Sequence, residues 1–159
     1  LNPGCGVGGH CIAVDPYFII SEFPRESKII SNAREVNNYK SEWCIEKIKS
    51  TALQFEIDND RKPTIALMGL AFKPNIDDLR ESPAKYISQK VLQNTNNCNY
   101  FIVEPNIKQH KEFMLTNYKI AVEQADIIVF LVAHEEFKDL EISSEKVVLD
   151  FCGIINKKE

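Results

Sequence analysis

The chain has 159 residues, 44% of them hydrophobic, and a net charge of −4. That is enough to bury one core and a smaller second unit, while the mild acidity and the lack of a basic stripe argue against a nucleic-acid partner. No apolar run reaches the length of a membrane span and no basic start leads into an apolar signal stretch, so a soluble, cytoplasmic protein with no membrane partner is expected.

The chain opens on Asn2-Pro3-Gly4-Cys5-Gly6-Val7-Gly8-Gly9-His10-Cys11, with an acid four residues on at Asp15. Glycines at 4, 6, 8 and 9 allow close approaches that a Cβ forbids, which suits a loop that wraps a ligand and presents a thiol to it. The five cysteines, at 5, 11, 44, 98 and 152, are odd in number and lack CxxC spacing. Free thiols are expected rather than a disulfide scaffold or a zinc site. Cys5, His10 and Cys11 offer three donors without a fourth at standard spacing, so no metal is assigned. After the Pro16–Ile20 segment, Ile29, Ile30, Ala33, Val36, Trp43, Ile45, Ile48, Ala52 and Phe55 recur at helical spacing, which predicts a helix over 27–57. The polar stretch Asp58–Pro63 then divides the chain into a first unit, 1–60, and a second, 61–159.

The second unit begins with Thr64–Phe72, a continuous apolar run of the kind expected for a strand buried on both faces. Similar runs recur at Tyr100–Val103, Asp126–Val132 and Lys146–Asp150. Between them a helix is predicted from Pro83 to about Gln93, capped by Ser82 with proline at its first position, and another near 108–115. Alternating strands and helices indicate an α/β fold: a Rossmann-like parallel sheet with helices on both faces, preceded by a helical segment. In such a sheet ligands sit at the carboxyl ends of the strands, so the loop Phe72–Pro83 is well placed to bind. It carries Lys73 and Arg80, both suited to phosphate, and leads into a helix N-terminus whose unpaired N–H groups favour anions. Only Gly69 stands where a dinucleotide site would have GxGxxG, so this is a nucleotide fold without that fingerprint.

Residues 2–16 (Asn-Pro-Gly-x-Gly-Val-Gly-Gly-His-Cys-Ile-Ala-Val-Asp-Pro), 33–37 (Ala-Arg-Glu-Val-Asn), 69–84 (Gly-Leu-Ala-Phe-Lys-Pro-Asn-Ile-Asp-Asp-Leu-Arg-Glu-Ser-Pro-Ala) and Val103–Ile107 resemble, in order, the UDP-glucose/GDP-mannose dehydrogenase family. The likeness is to its UDP-N-acetylmannosamine branch, since the UDP-glucose enzymes usually have lysine where Val14 stands and an arginine after an Asp-Gly pair where this chain has Asp150-Phe151-Cys152-Gly153.

The resemblance implies two successive oxidations of the sugar's primary alcohol to a carboxylate, each delivering a hydride to NAD, with a uronic acid product for surface polysaccharide. It implies that Cys11 is the nucleophile that captures the aldehyde and that Asp15 helps position or activate water. By motif position, Asn2, Pro3, Gly4, Gly6, Val7 and Gly8 wrap the sugar and diphosphate of a UDP-sugar. Phe72 and Lys73 contact the nucleotide sugar, and Arg80 reaches the cofactor together with Cys11 and Val14. Family members form homodimers, expected here through 27–57, and carry an NAD-binding domain with a catalytic lysine and asparagine ahead of the cysteine. The chain therefore reads as a C-terminal fragment, inactive alone: 1–60 the end of the central helical region, 61–159 the UDP-binding domain. A non-catalytic nucleotide-sugar-binding module, in which Cys11 has no role, is the second reading. UDP-N-acetylglucosamine is the alternative substrate.

Overall fold

The computed structural model describes residues 3–94 and 98–155. Past the glycine loop, Asp15–Glu22 form helix α1, with Asp15 and Pro16 in its first turn. An acid there meets unpaired N–H groups, and a proline forfeits no hydrogen bond. Helix α2, Lys28–Asn59, runs 32 residues without glycine or proline and stops where Asp60 turns left-handed at φ 51°. At 1.5 Å per residue it is about 48 Å long. Its buried residues, Ser41, Cys44, Ile45, Ile48 and Ala52, all lie from Ser41 onward. The N-terminal half leaves Ile29, Val36 and Tyr39 at 85%, 69% and 68% exposure. Helix α1, which buries no residue, packs beside it.

Strand β1 (Thr64–Met68) is followed by α3 (Pro83–Asn94), β2 (Asn99–Val103), α4 (Tyr118–Gln124), β3 (Ile127–Phe130), a 3-10 turn at Glu135–Phe137 and β4 (Val147–Asp150). The sheet order is β2-β1-β3-β4 and every pairing is parallel. Met68 lies opposite both Val103 and Phe130, and Phe130 opposite Asp150, so the four strands end together. The period of two along β1 divides the core. Ile65 and Leu67 pack with Ile45 and Ile48 of α2 and Ile87 and Val91 of α3. Ala66 and Met68 pack with Ala121 and Val122 of α4 and with Phe137. Helices thus cover both faces, as the sequence predicts. The chain leaves β1 on one side to form β2 and returns across it to form β3, so the crevice between the ends of β1 and β3 is where a ligand is expected.

Three boundaries differ from the sequence reading. The strand expected over 64–72 ends at Met68, because Gly69 takes φ +99° and turns the chain, and a Cβ there would come 2.5 Å from Val132 Cβ. The run 126–132 is strand only from Ile127 to Phe130. The helix expected near 108–115 does not form. That segment is irregular, with Phe113 buried, Leu115 bridged to Ile102, and the Thr116 N–H donating to the Ile102 carbonyl at 2.8 Å. The helix comes later as α4, where the Asn117 side chain accepts the Lys119 N–H at 2.9 Å.

Candidate active site

The loops that leave β1 and β3 and the N-terminal turn of α3 enclose a cavity of about 510 Å³, closed on its remaining side by the glycine loop. The structure brings together there Pro3, Gly4, Gly6, Val7, Gly8, Phe72 and Lys73, seven of the eight residues that the sequence reading assigns to substrate. The eighth, Asn2, lies outside the described residues. Lys73 is the one charged side chain among the described residues lining the cavity, and it makes no hydrogen bond or ion pair among them. Ser82 starts α3 as expected, its hydroxyl accepting the Lys85 N–H at 3.3 Å, and Pro83 and Ala84 of the first turn face the same space.

The glycine loop is fastened by contacts far apart in sequence. The Asn37 side chain clasps Val7, accepting its N–H at 2.8 Å and donating to its carbonyl at 3.3 Å. The Ser41 hydroxyl donates to the Cys5 carbonyl at 2.9 Å, and the Cys5 thiol donates to the Leu131 carbonyl at 3.5 Å. Gly8 is pressed so closely onto the start of α3 that a Cβ would overlap the Glu81 carbonyl and come 2.7 Å from Pro83 Cδ. No other residue fits there without moving the loop.

Cys11 is exposed and sits beside Ile12, which lines the cavity. Its carbonyl accepts the N–H groups of Val14 at 3.0 Å and Asp15 at 2.8 Å, so Cys11 and Asp15 stand one helical turn apart at the start of α1. Val14 is the residue just ahead of α1. Cys11, Val14, Asp15 and Arg80 do not line the cavity. Arg80 is instead held by Asp78, through Nε at 3.0 Å and Nη2 at 2.6 Å, and Asp78 also fixes Phe72 through its carbonyl, which accepts the Phe72 N–H at 3.2 Å. Hydrogen bonds from Arg80 hold Asp78 down to about 2, with a smaller contribution from the nearby His10. Asp78 in turn raises Arg80, and Cys11 adds to that effect. The Asp78–Arg80 pair therefore lies beside the His10-Cys11 turn. Burial pushes Cys5 up to about 12 and Cys44 up to about 11, and pushes Cys152 higher still. These thiols are protonated at neutral pH and poor nucleophiles. Among the described residues no group of three or more His, Cys, Asp or Glu is arranged to hold a metal ion, and no helix is long and apolar enough to cross a membrane.

Sequence reasoning assigns no role to the residues beneath the cavity floor. Glu104 and His134, both fully buried, pair at 3.1 Å between Oε2 and Nε2. Glu104 also accepts the N–H groups of Leu70 at 2.7 Å and Ala71 at 2.9 Å on Oε2, and that of Asn106 at 3.1 Å on Oε1. Burial works to raise its pKa, but the hydrogen bond from His134 and those from the backbone outweigh it and keep Glu104 below the ordinary range.

Residues 66–157 match the profile of the UDP binding domain of the UDP-glucose/GDP-mannose dehydrogenase family, and residues 1–39 match that of its central domain. The chain is similar to UDP-N-acetyl-D-mannosamine dehydrogenase of Campylobacter jejuni, 48% identical over 96% of this chain and 37% of that protein. It is also similar to NDP-N-acetyl-D-galactosaminuronic acid dehydrogenase of Ralstonia nicotianae, 42% identical over 99% of this chain and 37% of that protein. Among solved structures, UDP-D-ManNAc dehydrogenase from Pyrococcus horikoshii superposes with a TM-score of 0.76 at 28% identity, over 98% of this chain and 37% of that one. The chain thus spans well under half the length of the relatives it matches.

Proposed function

Because this chain belongs to the UDP-glucose/GDP-mannose dehydrogenase family, we propose that it supplies the nucleotide-sugar site and the reactive thiol of an NAD-dependent UDP-N-acetyl-D-mannosamine 6-dehydrogenase. The observation that carries this reading is Lys73, a cation that, among the described residues, has no partner and is alone in charge in a cavity at the carboxyl ends of β1 and β3, walled by the loop that leads to Cys11. The diphosphate lies against Lys73 and the first turn of α3. The sugar follows Gly4–Gly8 towards Cys11. Turnover belongs to the whole protein.

NAD, when bound, accepts the hydride of each of the two oxidations. The donor set beside Cys11 fits such a group: Arg80 is fixed by Asp78 through Nε and Nη2, while Nη1 has no partner among the described residues and stays available to an acceptor. The sheet's own crevice suits the UDP-sugar better than a dinucleotide, since β1 is followed by Gly69 alone. The chain's residues then act in sequence. Cys11 Sγ, as thiolate, adds to the C6 aldehyde carbon; a C–S bond forms as the carbonyl π bond opens, and the oxygen takes a proton from water to give a thiohemiacetal. After the second oxidation the same carbon is a thioester on Cys11. Water attacks it, the C–S bond breaks, and the carboxylate leaves with the thiol restored. Asp15, one turn from Cys11 and exposed, orients or deprotonates that water.

The apolar residues left exposed on the N-terminal half of α2, Ile29, Val36 and Tyr39, support a homodimer through the 27–57 region. Charged substrates of this kind also favour a cytoplasmic site, with the product entering surface polysaccharide. The binding half of the reading is tested by titrating the whole protein with UDP. Lys73→Ala is expected to weaken UDP about tenfold, the loss of one charge-assisted contact. Failure of the wild-type protein to bind UDP, or an unchanged affinity in Lys73→Ala, contradicts it.

A further inference from the structure

We propose that His134 is a positioning residue of the nucleotide-sugar site, setting the Phe72-Lys73-Pro74 wall through a hydrogen bond from the Asn75 backbone; this rests on the UDP reading above. Asn75 holds a left-handed conformation, φ +61°, which a non-glycine residue keeps only when its surroundings impose it. Two consecutive residues after β3 impose it. The Asn75 N–H donates to His134 Nδ1 at 3.0 Å, and the Asn75 side-chain oxygen accepts the Glu135 N–H at 2.8 Å. Pro74, with φ fixed by its ring, links Asn75 rigidly to Lys73.

The imidazole itself has no freedom to turn. A backbone N–H can only donate, so Nδ1 is an acceptor and the ring proton sits on Nε2, facing Glu104 at 3.1 Å. The Asn106 amide lies 3.0 Å from Nδ1, and the Phe137 ring meets the imidazole edge-on at 89°. Glu104 is anchored by the Leu70 and Ala71 N–H groups at the root of the same loop that carries Phe72 and Lys73. One buried pair thus ties together the ends of β1, β2 and β3. An apolar pair of similar size would hold the sheet without the desolvation of a carboxylate. What the polar pair adds is the direction of the loop above it.

The test separates the two ring nitrogens in the whole protein, using UDP as the probe. His134→Asn keeps an acceptor near the Nδ1 position and loses the bond to Glu104. His134→Gln keeps a donor towards Glu104 and loses the acceptor for Asn75. Both variants are expected to melt at lower temperature, but only His134→Gln should lose UDP affinity, by about tenfold, while His134→Asn stays within about threefold of wild type. In the wild type the Asn75 amide should also exchange with deuterium at least about a hundredfold more slowly than an open loop amide. Wild-type affinity in a folded His134→Gln, affinity losses in both variants that merely track their melting temperatures, or an unprotected Asn75 amide each overturn the inference while leaving the UDP reading intact. Absence of UDP binding by the wild type overturns that reading and the inference with it.

Discussion

Replacing Cys11 with serine is expected to lower the steady-state rate of NADH formation by the whole protein at least about 10³-fold, the scale on which loss of a covalent nucleophile is felt. The expectation follows from where the five thiols lie. Cys5 and Cys44 are buried and Cys98 and Cys152 partly so, leaving Cys11 exposed at the turn into α1. Burial holds Cys5 near 12 and Cys44 near 11, so neither offers thiolate at neutral pH. Iodoacetamide near pH 8 should therefore alkylate Cys11 ahead of the other four and abolish turnover in parallel, and a saturating UDP-sugar should slow that labelling. A Cys11→Ser protein that keeps its rate within about tenfold would mean that the aldehyde is oxidised without a covalent intermediate.

The largest effect on stability is expected at Glu104. Changing it to Gln places an amide against the Leu70 and Ala71 N–H groups and takes the charge from a pair with no exposure. Losing a buried hydrogen bond to a charged acceptor typically costs about 1.5–3 kcal/mol, and Glu104 accepts from the His134 ring as well as from three backbone N–H groups. The sign with pH is also fixed. Glu104 titrates in the folded protein below its ordinary value, because the hydrogen bonds from His134 and the backbone outweigh the effect of burial. Its contribution is therefore complete above the unfolded value, about 4.3, and is lost as pH falls below that towards the lower folded value. Urea unfolding should show the variant well below wild type at pH 7 and the gap narrowing on acidification below about pH 4. A gap under about 0.5 kcal/mol at pH 7 contradicts this.

The continuous apolar runs made β1, β2, β3 and β4 legible because a parallel sheet covered on both faces leaves no polar alternation to confuse with anything else. Ser82-Pro83 marked the start of α3 through capping chemistry that is local to the chain. The segment 108–115 misled because a charged stretch, Lys108 to Glu112, runs into the apolar Phe113, Met114 and Leu115 over a length that suits a short helix. Phe113 and Leu115 turn inward on either side of the exposed Met114, as extended backbone does, and Leu115 bridges Ile102 at the edge of β2. Two stretches of the cavity lining, 3–8 and 72–73, were legible in the sequence, whereas Leu131, Val132, Ala133 and Cys152, and what holds the lining in place, were not. Asn37 is 30 residues from Val7, and Glu104 is 30 from His134. Partners of that kind meet only through helix packing and strand order. The one signal available was position: Glu104 and His134 each follow an apolar strand run at the end of the sheet where ligands bind.

The proposed role of this chain is to serve a four-electron oxidation of a UDP-sugar through Cys11. Its most direct measurement is the yield of NADH when the whole protein is given NAD and limiting UDP-N-acetyl-D-mannosamine, beside UDP-N-acetylglucosamine and UDP-glucose. Two NADH per mannosamine sugar, with little from the other two, is the result predicted here. No NADH from any of them, in a protein that binds UDP-sugars, contradicts that role and leaves the cavity as a binding site alone.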